Sequence, residues 1–416
     1  MLHPTLDAVF RAFTAAGVRW CLLRDEADLA APTGDVDLLV APGDLPRARR
    51  ALAALGFVVL PGYGRGSHTF YLTYHPPTGR WLELDLVTDL AYGPHFAWRT
   101  DAAAGCLARR RRDGAVWRLD PDDAFWALLL HCLLDKGRIA PRRAARLAEL
   151  APAARDDGPL AGAIAGVCPA AWPPARLLAA ARGGDWAALT VAAPALGAAW
   201  TRRRPIGTAR RAATQRGLRL LERPLLALRR PGLGVALLGP DGAGKSTLAA
   251  QVREGFYFPT RAVYMGMWQR PAGGEAAGPP GWAPTRRLLA IWARYLRARY
   301  HRALGRLVIF DRYTYDALLP PGRRLGAAAR LYTWLLGHAC PGPDLALVLD
   351  APGRVLYERK GEESPAHLEA ERQGFLGLQG RVRGLEVVDV TRPPEVVRAD
   401  VVARIWDQYT RRWGGR

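Results

Sequence analysis

Leu233-Gly234-Val235-Ala236-Leu237-Leu238-Gly239-Pro240-Asp241-Gly242-Ala243-Gly244-Lys245-Ser246-Thr247 decides how the second half of this chain is read. Its apolar opening has the length of a buried parallel strand. The next eight residues, Gly239 to Ser246, have the form G-x-x-x-x-G-K-S, and Thr247 to Val252 continue as a helix. Strand, glycine loop and helix in that order are the context in which this pattern cradles a polyphosphate. Glycines let successive backbone N–H groups turn inward around the anion. The helix N-terminus adds partial positive charge. Lys245 reaches the terminal phosphates, and Ser246 can ligate Mg2+. The expected nucleotide-binding residues are therefore Gly239, Asp241, Gly242, Ala243, Gly244, Lys245, Ser246 and Thr247.

Such a loop needs a second carboxylate for the Mg2+ shell, at the end of a neighbouring strand. Leu307-Val308-Ile309-Phe310-Asp311 and Leu345-Ala346-Leu347-Val348-Leu349-Asp350 both end an apolar run in an acid. Asp311 is favoured for the metal, because Arg312 beside it can bind a phosphate through two parallel hydrogen bonds. Asp350 reads as structural, since an aspartate at a strand end also caps turns and helices.

Gly239 to Thr247, Asp311-Arg312-Tyr313, Pro343-Asp344-Leu345, Glu358-Arg359-Lys360 and Leu368-Glu369-Ala370-Glu371-Arg372 together resemble the thymidylate kinase family over about residues 232–416. The resemblance implies a P-loop NTPase fold, a parallel sheet with flanking helices, with ATP and Mg2+ as cofactors. It implies that Asp241 contacts the acceptor's sugar and Arg312 its phosphate. A mobile basic lid maps onto Arg359, Lys360 and Arg372, and the loop itself has no arginine, so the catalytic cation would come from the lid. One segment departs: between Gly255 and Trp282 stand Tyr264-Met265-Gly266-Met267-Trp268 and a Pro/Gly-rich stretch in place of the family's acceptor-base segment. An aromatic strand end can stack a base, and thymidylate itself is not carried over as acceptor.

The first half reads differently. Leu6 to Ala16 has helical spacing and ends at Gly17. Val18–Leu23, Val36–Val40, Phe57–Leu60, Thr69–Tyr74 and Trp81–Val87 are short strands around a helix at Leu45–Leu55. Asp35 and Asp37 lie at i and i+2 on one strand face, and Glu83 and Asp85 repeat the pattern. Three carboxylates converging from adjacent strands can hold divalent cations for a nucleoside triphosphate. Gly34-Asp35-Val36-Asp37-Leu38 followed by the Leu84-Asp85-Leu86 strand resembles the nucleotidyltransferase superfamily, with Asp35, Asp37 and Asp85 as its metal acids. The family's Gly-Ser pair is missing, and Leu22-Leu23-Arg24-Asp25 stands in its region. From Asp120 to Trp200 the pattern is helical and alanine-rich. His131 and Lys136, on a leucine-rich helix, are candidates to face a triphosphate.

The expected organisation is an α+β nucleotidyltransferase-like domain at 1–115, a helical subdomain at 116–200, an arginine-rich linker at 201–231 and an α/β kinase domain at 232–416. The length, 416 residues, accommodates two or three domains. Five scattered cysteines form no C-x-x-C pair, which fits neither a disulfide framework nor a zinc site. With no apolar run long enough to span a bilayer and no secretory N-terminal pattern, a cytoplasmic protein is expected. The formal charge is +21, yet only three of 59 basic residues are lysines. Such arginine usage follows a GC-rich genome, so the charge points only weakly to nucleic acid.

The expected activity is phosphoryl transfer to a small nucleotide-like acceptor, with nucleotidyl transfer as a second activity of the first half. The alternatives are a protein that modifies RNA ends, or a nucleotide-binding scaffold touching a membrane surface through residues 201–230. The sequence leaves the oligomeric state open.

Overall fold

The computed structural model describes residues 2–24, 28–229, 231–266, 283–320 and 326–414. Asp25, Met267 and Trp268 lie outside the described residues. The chain forms two compact units, one built on Met1–His75 and Trp81–Glu222, the other on Arg223–Trp413.

In the first unit, helix Pro4–Ala15 starts with proline in its first turn, and the His3 side chain accepts from the Thr5 N–H. Leu6, Val9, Phe10 and Phe13 form one buried stripe of it, and Gly17, at φ +62°, lets the chain leave. The strands are β1 (Trp20–Leu22), β2 (Val36–Val40), β3 (Val58–Val59), β4 (His68–His75), β5 (Arg80–Val87), β6 (Ala91–Tyr92), β7 (Trp98–Arg99), β8 (Arg111–Asp113) and β9 (Val116–Arg118). Seven of them make a mixed sheet in the order β3-β4-β5-β2-β1-β9-β8, while β6 and β7 pair separately. β2 and β5 are parallel, with Asp37 opposite Asp85. The five expected strands thus form, with ends displaced by a few residues.

The helical part follows. Helices Pro121–Leu130, Pro141–Leu150, Pro159–Ala165 and Pro174–Arg182 each begin at a proline, which costs a first-turn residue no hydrogen bond. Their leucines pack with Phe125, Trp126 and Trp200 into one core.

The arginine-rich stretch folds as helix Pro205–Arg229. Up to Glu222 it groups with the first unit, a difference from the expected linker at 201–231. The reason is local bonding: Arg211 donates to the Ala97 carbonyl and Arg219 to that of Gly64, while Gln215 accepts from the Gly66 N–H.

The second unit is a five-stranded parallel sheet made of β10 (Gly234–Leu238), β11 (Thr260–Tyr264), β12 (Leu307–Asp311), β13 (Leu345–Asp350) and β14 (Leu385–Asp389). The order is β11-β12-β10-β13-β14, which puts β10 at the centre. Val235 to Leu238, Val308 to Phe310 and Ala346 to Leu349 are all buried, as unbroken apolar strands covered on both faces should be. The strand order reverses at β10, and ligands bind outside the carboxyl ends of strands at such a switch point. Leu237 of β10 is opposite Asp311 of β12, so the glycine loop and that acid emerge side by side. Among the described residues no helix is long and apolar enough to cross a membrane.

Candidate functional site

The loop from β10 turns into helix Lys245–Gly255 through backbone that L side chains avoid. Gly242 has φ +83°, and a Cβ there would stand 2.5 Å from the Leu356 carbonyl oxygen. Gly244, at φ +82°, supplies the left-handed residue before the helix. Lys245 is buried, and its Nζ donates to the carbonyls of Gly239 at 2.8 Å and Pro240 at 2.7 Å. Burial holds its pKa below the usual lysine value, with Arg312 adding to the effect and Asp241 opposing it. Ser246 Oγ donates to Asp311 Oδ2 at 2.8 Å. A hydroxyl and a carboxylate in contact at this point are the donor set for a hard divalent cation, so the residues fit Mg2+.

Arg312 follows β12 in the left-handed region, at φ +65°, an uncommon choice for a long side chain. That turn aims its guanidinium at Asp241 and places it 3.5 Å from Asp316. Asp241 feels burial as an upward push, but Arg312, Lys245 and Lys360 outweigh it and its pKa lies below the usual carboxylate value. Lys360 Nζ is 3.7 Å from Asp241 and 2.8 Å from Glu362. Arg359 donates to the Val390 carbonyl at 2.8 Å.

A cavity of about 840 Å³ is lined by Asp241, Lys245, Ser246, Asp311, Arg312 and Lys360, with Tyr264 and Glu371 completing its wall. A second cavity of about 510 Å³ lies along Ala243, Thr247, Gln251 and the Thr391–Pro394 turn. Arg359 and Thr247 line both. Arg372, expected in the lid, is instead taken up by Asp350 at 2.6 Å and Glu369 at 2.8 Å. Asp350 thus has a guanidinium partner.

Sequence reasoning missed Asp316, Glu363, His367 and the Thr391–Pro394 turn. Asp316 is buried on the short turn Thr314–Leu318, and burial raises its pKa to about 6 against the pull of Arg312 and Lys245.

In the first unit, parallel pairing sets Asp37 beside Asp85, and Asp35, immediately before β2, joins them. Carboxylate oxygens of all three lie within 4.8 Å of one another. Asp37 and Asp85 are buried, and the Oδ1 atom of each has no hydrogen-bond partner. Arg24 is 3.3 Å from Asp37, and His68 Nδ1 is 2.6 Å from Asp85 Oδ2. Burial pushes Asp37 up to about 7, with Arg24 opposing and the neighbouring acids assisting. Unpartnered buried oxygens on converging carboxylates fit a divalent cation. A cavity of about 470 Å³ holds this trio, and His131, Lys136 and Arg219 line it too. His68 and Arg219 were not foreseen.

A glycine loop of this form, leaving the central strand of a 2-3-1-4-5 parallel sheet, defines a P-loop NTPase. No family model matches the chain. Over 165 residues it is 35% identical to the thymidylate kinase of Alkalilimnicola ehrlichii, spanning 35% of this chain and 74% of that relative. Over 207 residues it is 31% identical to the thymidylate kinase of Leifsonia xyli, spanning 42% of this chain and 95% of that one. A solved thymidylate kinase structure from Candida albicans, 18% identical, aligns with a TM-score of 0.33 over 41% of this chain and 89% of that one. Over the aligned part of its length, the chain belongs to the thymidylate kinase family.

Proposed function

We propose that the C-terminal unit transfers the γ-phosphoryl group of ATP to a nucleotide or a nucleotide-like small molecule. The observation that carries this reading is the contact of Ser246 with Asp311 beside Lys245, at the mouth of the glycine loop. Kinship with thymidylate kinases supports it.

The loop amides and the N-terminus of helix Lys245–Gly255 receive the β- and γ-phosphates. Lys245 exchanges its carbonyl partners for phosphate oxygens. Ser246 and Asp311 would hold Mg2+, which would supply charge neutralisation for the phosphates. The larger cavity takes the acceptor, with Arg312 on its phosphate, Asp241 on a hydroxyl and Tyr264 beside its base. The smaller cavity takes the donor's base. An acceptor oxygen bonds to the γ-phosphorus, the bond to the bridging oxygen breaks, and ADP leaves. Arg359 and Lys360 spread positive charge over the migrating group, and this electrostatic help is the main assistance phosphoryl transfer needs.

The test is ADP formation from Mg2+-ATP across a panel of nucleoside monophosphates. Lys245→Ala should lower the rate by about 100-fold or more, the usual scale for losing one such charge stabiliser. Equal rates in both proteins would remove the reading.

A second reading concerns the N-terminal unit: metal-dependent nucleotidyl transfer at Asp35, Asp37 and Asp85. The observation favouring it is the convergence of three carboxylates with two unpartnered buried oxygens. A rise in thermal midpoint with Mn2+-ATP in Lys245→Ala protein, absent when Asp35→Asn is added, is the expected result.

A further inference from the structure

Helix Pro121–Leu130 widens into a π turn over His131–Asp135, closed by the Lys136 N–H on the His131 carbonyl at 3.2 Å. Turns of this kind are rare and concentrate at functional sites. Asp135 is fixed from two sides: it lies 2.7 Å from His131 Nδ1 and accepts from the Gly93 N–H at 2.7 Å. A carboxylate on Nδ1 places the neutral ring's proton there and leaves Nε2 with a bare lone pair. Nε2 is buried and has no hydrogen-bond partner, although His131 lines the cavity of the three aspartates. A buried acceptor left without a partner is costly, so a ligand that donates a hydrogen bond to it relieves that cost.

His131 stands apart from the cation ligands. Among the described residues, the group of acids close enough to share an ion is Asp35, Asp37 and Asp85, without the imidazole. The wall of the same cavity is strained: His95 at φ +57° and Phe96 at φ +54° line it, and His95 Nδ1 is likewise buried without a partner. Burial, with Arg24 and Arg143 nearby, holds the His131 imidazole below its ordinary pKa against the pull of Asp135, which favours the unprotonated ring.

We propose that His131, oriented by Asp135, accepts the proton of the hydroxyl that attacks in the N-terminal cavity. The proposal rests on the nucleotidyl-transfer reading and names its substrates by class, a nucleoside triphosphate and a hydroxyl compound. The hydroxyl oxygen bonds to the α-phosphorus, and its proton passes to His131 Nε2. The bond from the α-phosphorus to the bridging oxygen breaks, and pyrophosphate leaves with the electron pair. Asp135 then faces an imidazolium, which it stabilises until the proton returns to water.

The experiment uses the full chain carrying Lys245→Ala, with Mn2+-ATP as donor and glycerol as hydroxyl source, and reads pyrophosphate release and the thermal response to Mn2+-ATP. Adding His131→Gln should lower release about 100-fold or more, the scale of general-base catalysis, and leave the thermal response unchanged. His131→Ala should recover part of the rate in added imidazole. Asp135→Asn, which keeps the ring but loosens it, should lose about tenfold. Release that survives His131→Gln, or that falls only together with Mn2+-ATP binding, overturns the proposal; an unchanged rate in Asp135→Asn does so for a His131 variant that does not fold. A parent protein that binds Mn2+-ATP and releases no pyrophosphate overturns the nucleotidyl-transfer reading itself, and this inference with it.

Discussion

Asp37 and Asp85 are register partners in adjacent parallel strands, so the fold presses two buried carboxylates together with Asp35 beside them. Arg24 and His68 are the partners the structure gives them. Repulsion of this kind is tolerated where a cation relieves it.

The first prediction follows from the sign of that repulsion. The Asp37 pKa in the folded chain is raised to about 7. Its contribution to stability is therefore fully present below the unfolded carboxylate value and is lost as pH rises through about 7. Asp37→Asn should raise the thermal midpoint at pH 8 in chelator and abolish the further rise that Mn2+ gives the wild type. A lower midpoint in chelator would contradict the account.

Asp316 offers an independent titration in the other unit. Its raised value of about 6 means that stability is lost between the unfolded carboxylate value and pH 6. Asp316→Asn should gain on the wild type as pH climbs from 4 to 7, by up to a few kcal/mol on the scale of ~1.4 kcal/mol per pKa unit. Urea unfolding at four pH values measures this. A pH-independent difference would refute it.

Gly242→Ala should damage loop and fold together. The new methyl meets the Leu356 carbonyl, in the helix Gly353–Lys360 that carries Arg359 and Lys360, and the residue is held at φ +83°. Left-handed backbone alone costs roughly 1–2 kcal/mol, with the clash in addition. The expected outcome is a lower thermal midpoint and weakened ATP binding by calorimetry.

Arg372→Ala separates structure from chemistry. Its ion pairs with Asp350 and Glu369 are partly buried, and the hydrogen bonds from Gln373 and the Gly353 N–H, with Arg372 beside them, hold Glu369 down at about 2. Loss of about 1–3 kcal/mol in stability is expected, with ADP formation per folded molecule nearly unchanged. A kinetic defect exceeding tenfold without unfolding would return Arg372 to the lid.

What could be read from the chain alone was what local spacing encodes. Gly239 to Ser246 is contiguous, and the strand before it and the helix after it carry their own periodicities. Asp35, Asp37 and Asp85 were legible as acids on strand faces. The register that sets Asp37 opposite Asp85 was not, because pairing of β2 with β5 is decided by packing over a long sequence separation. Asp316 escaped because a single acid after Asp311-Arg312-Tyr313 looks like an ordinary turn residue until its burial is seen. The attachment of Gln215 and Arg219 to the Gly64–Gly66 loop escaped for the opposite reason. A segment with ten arginines looks uniformly solvated, and nothing in its composition distinguishes the few side chains that find carbonyls.

The Lys245 ammonium already satisfies two carbonyls of its own loop. Recruitment of that charge by any anion is therefore a contest against resident neighbours, and its measured strength will be a difference. Lone phosphate or sulfate ions, arriving with one modest grip, will lose that contest at ordinary concentrations. A chelated chain of phosphates engages several points at once and wins it, so the loop discriminates by how many handholds its visitor brings.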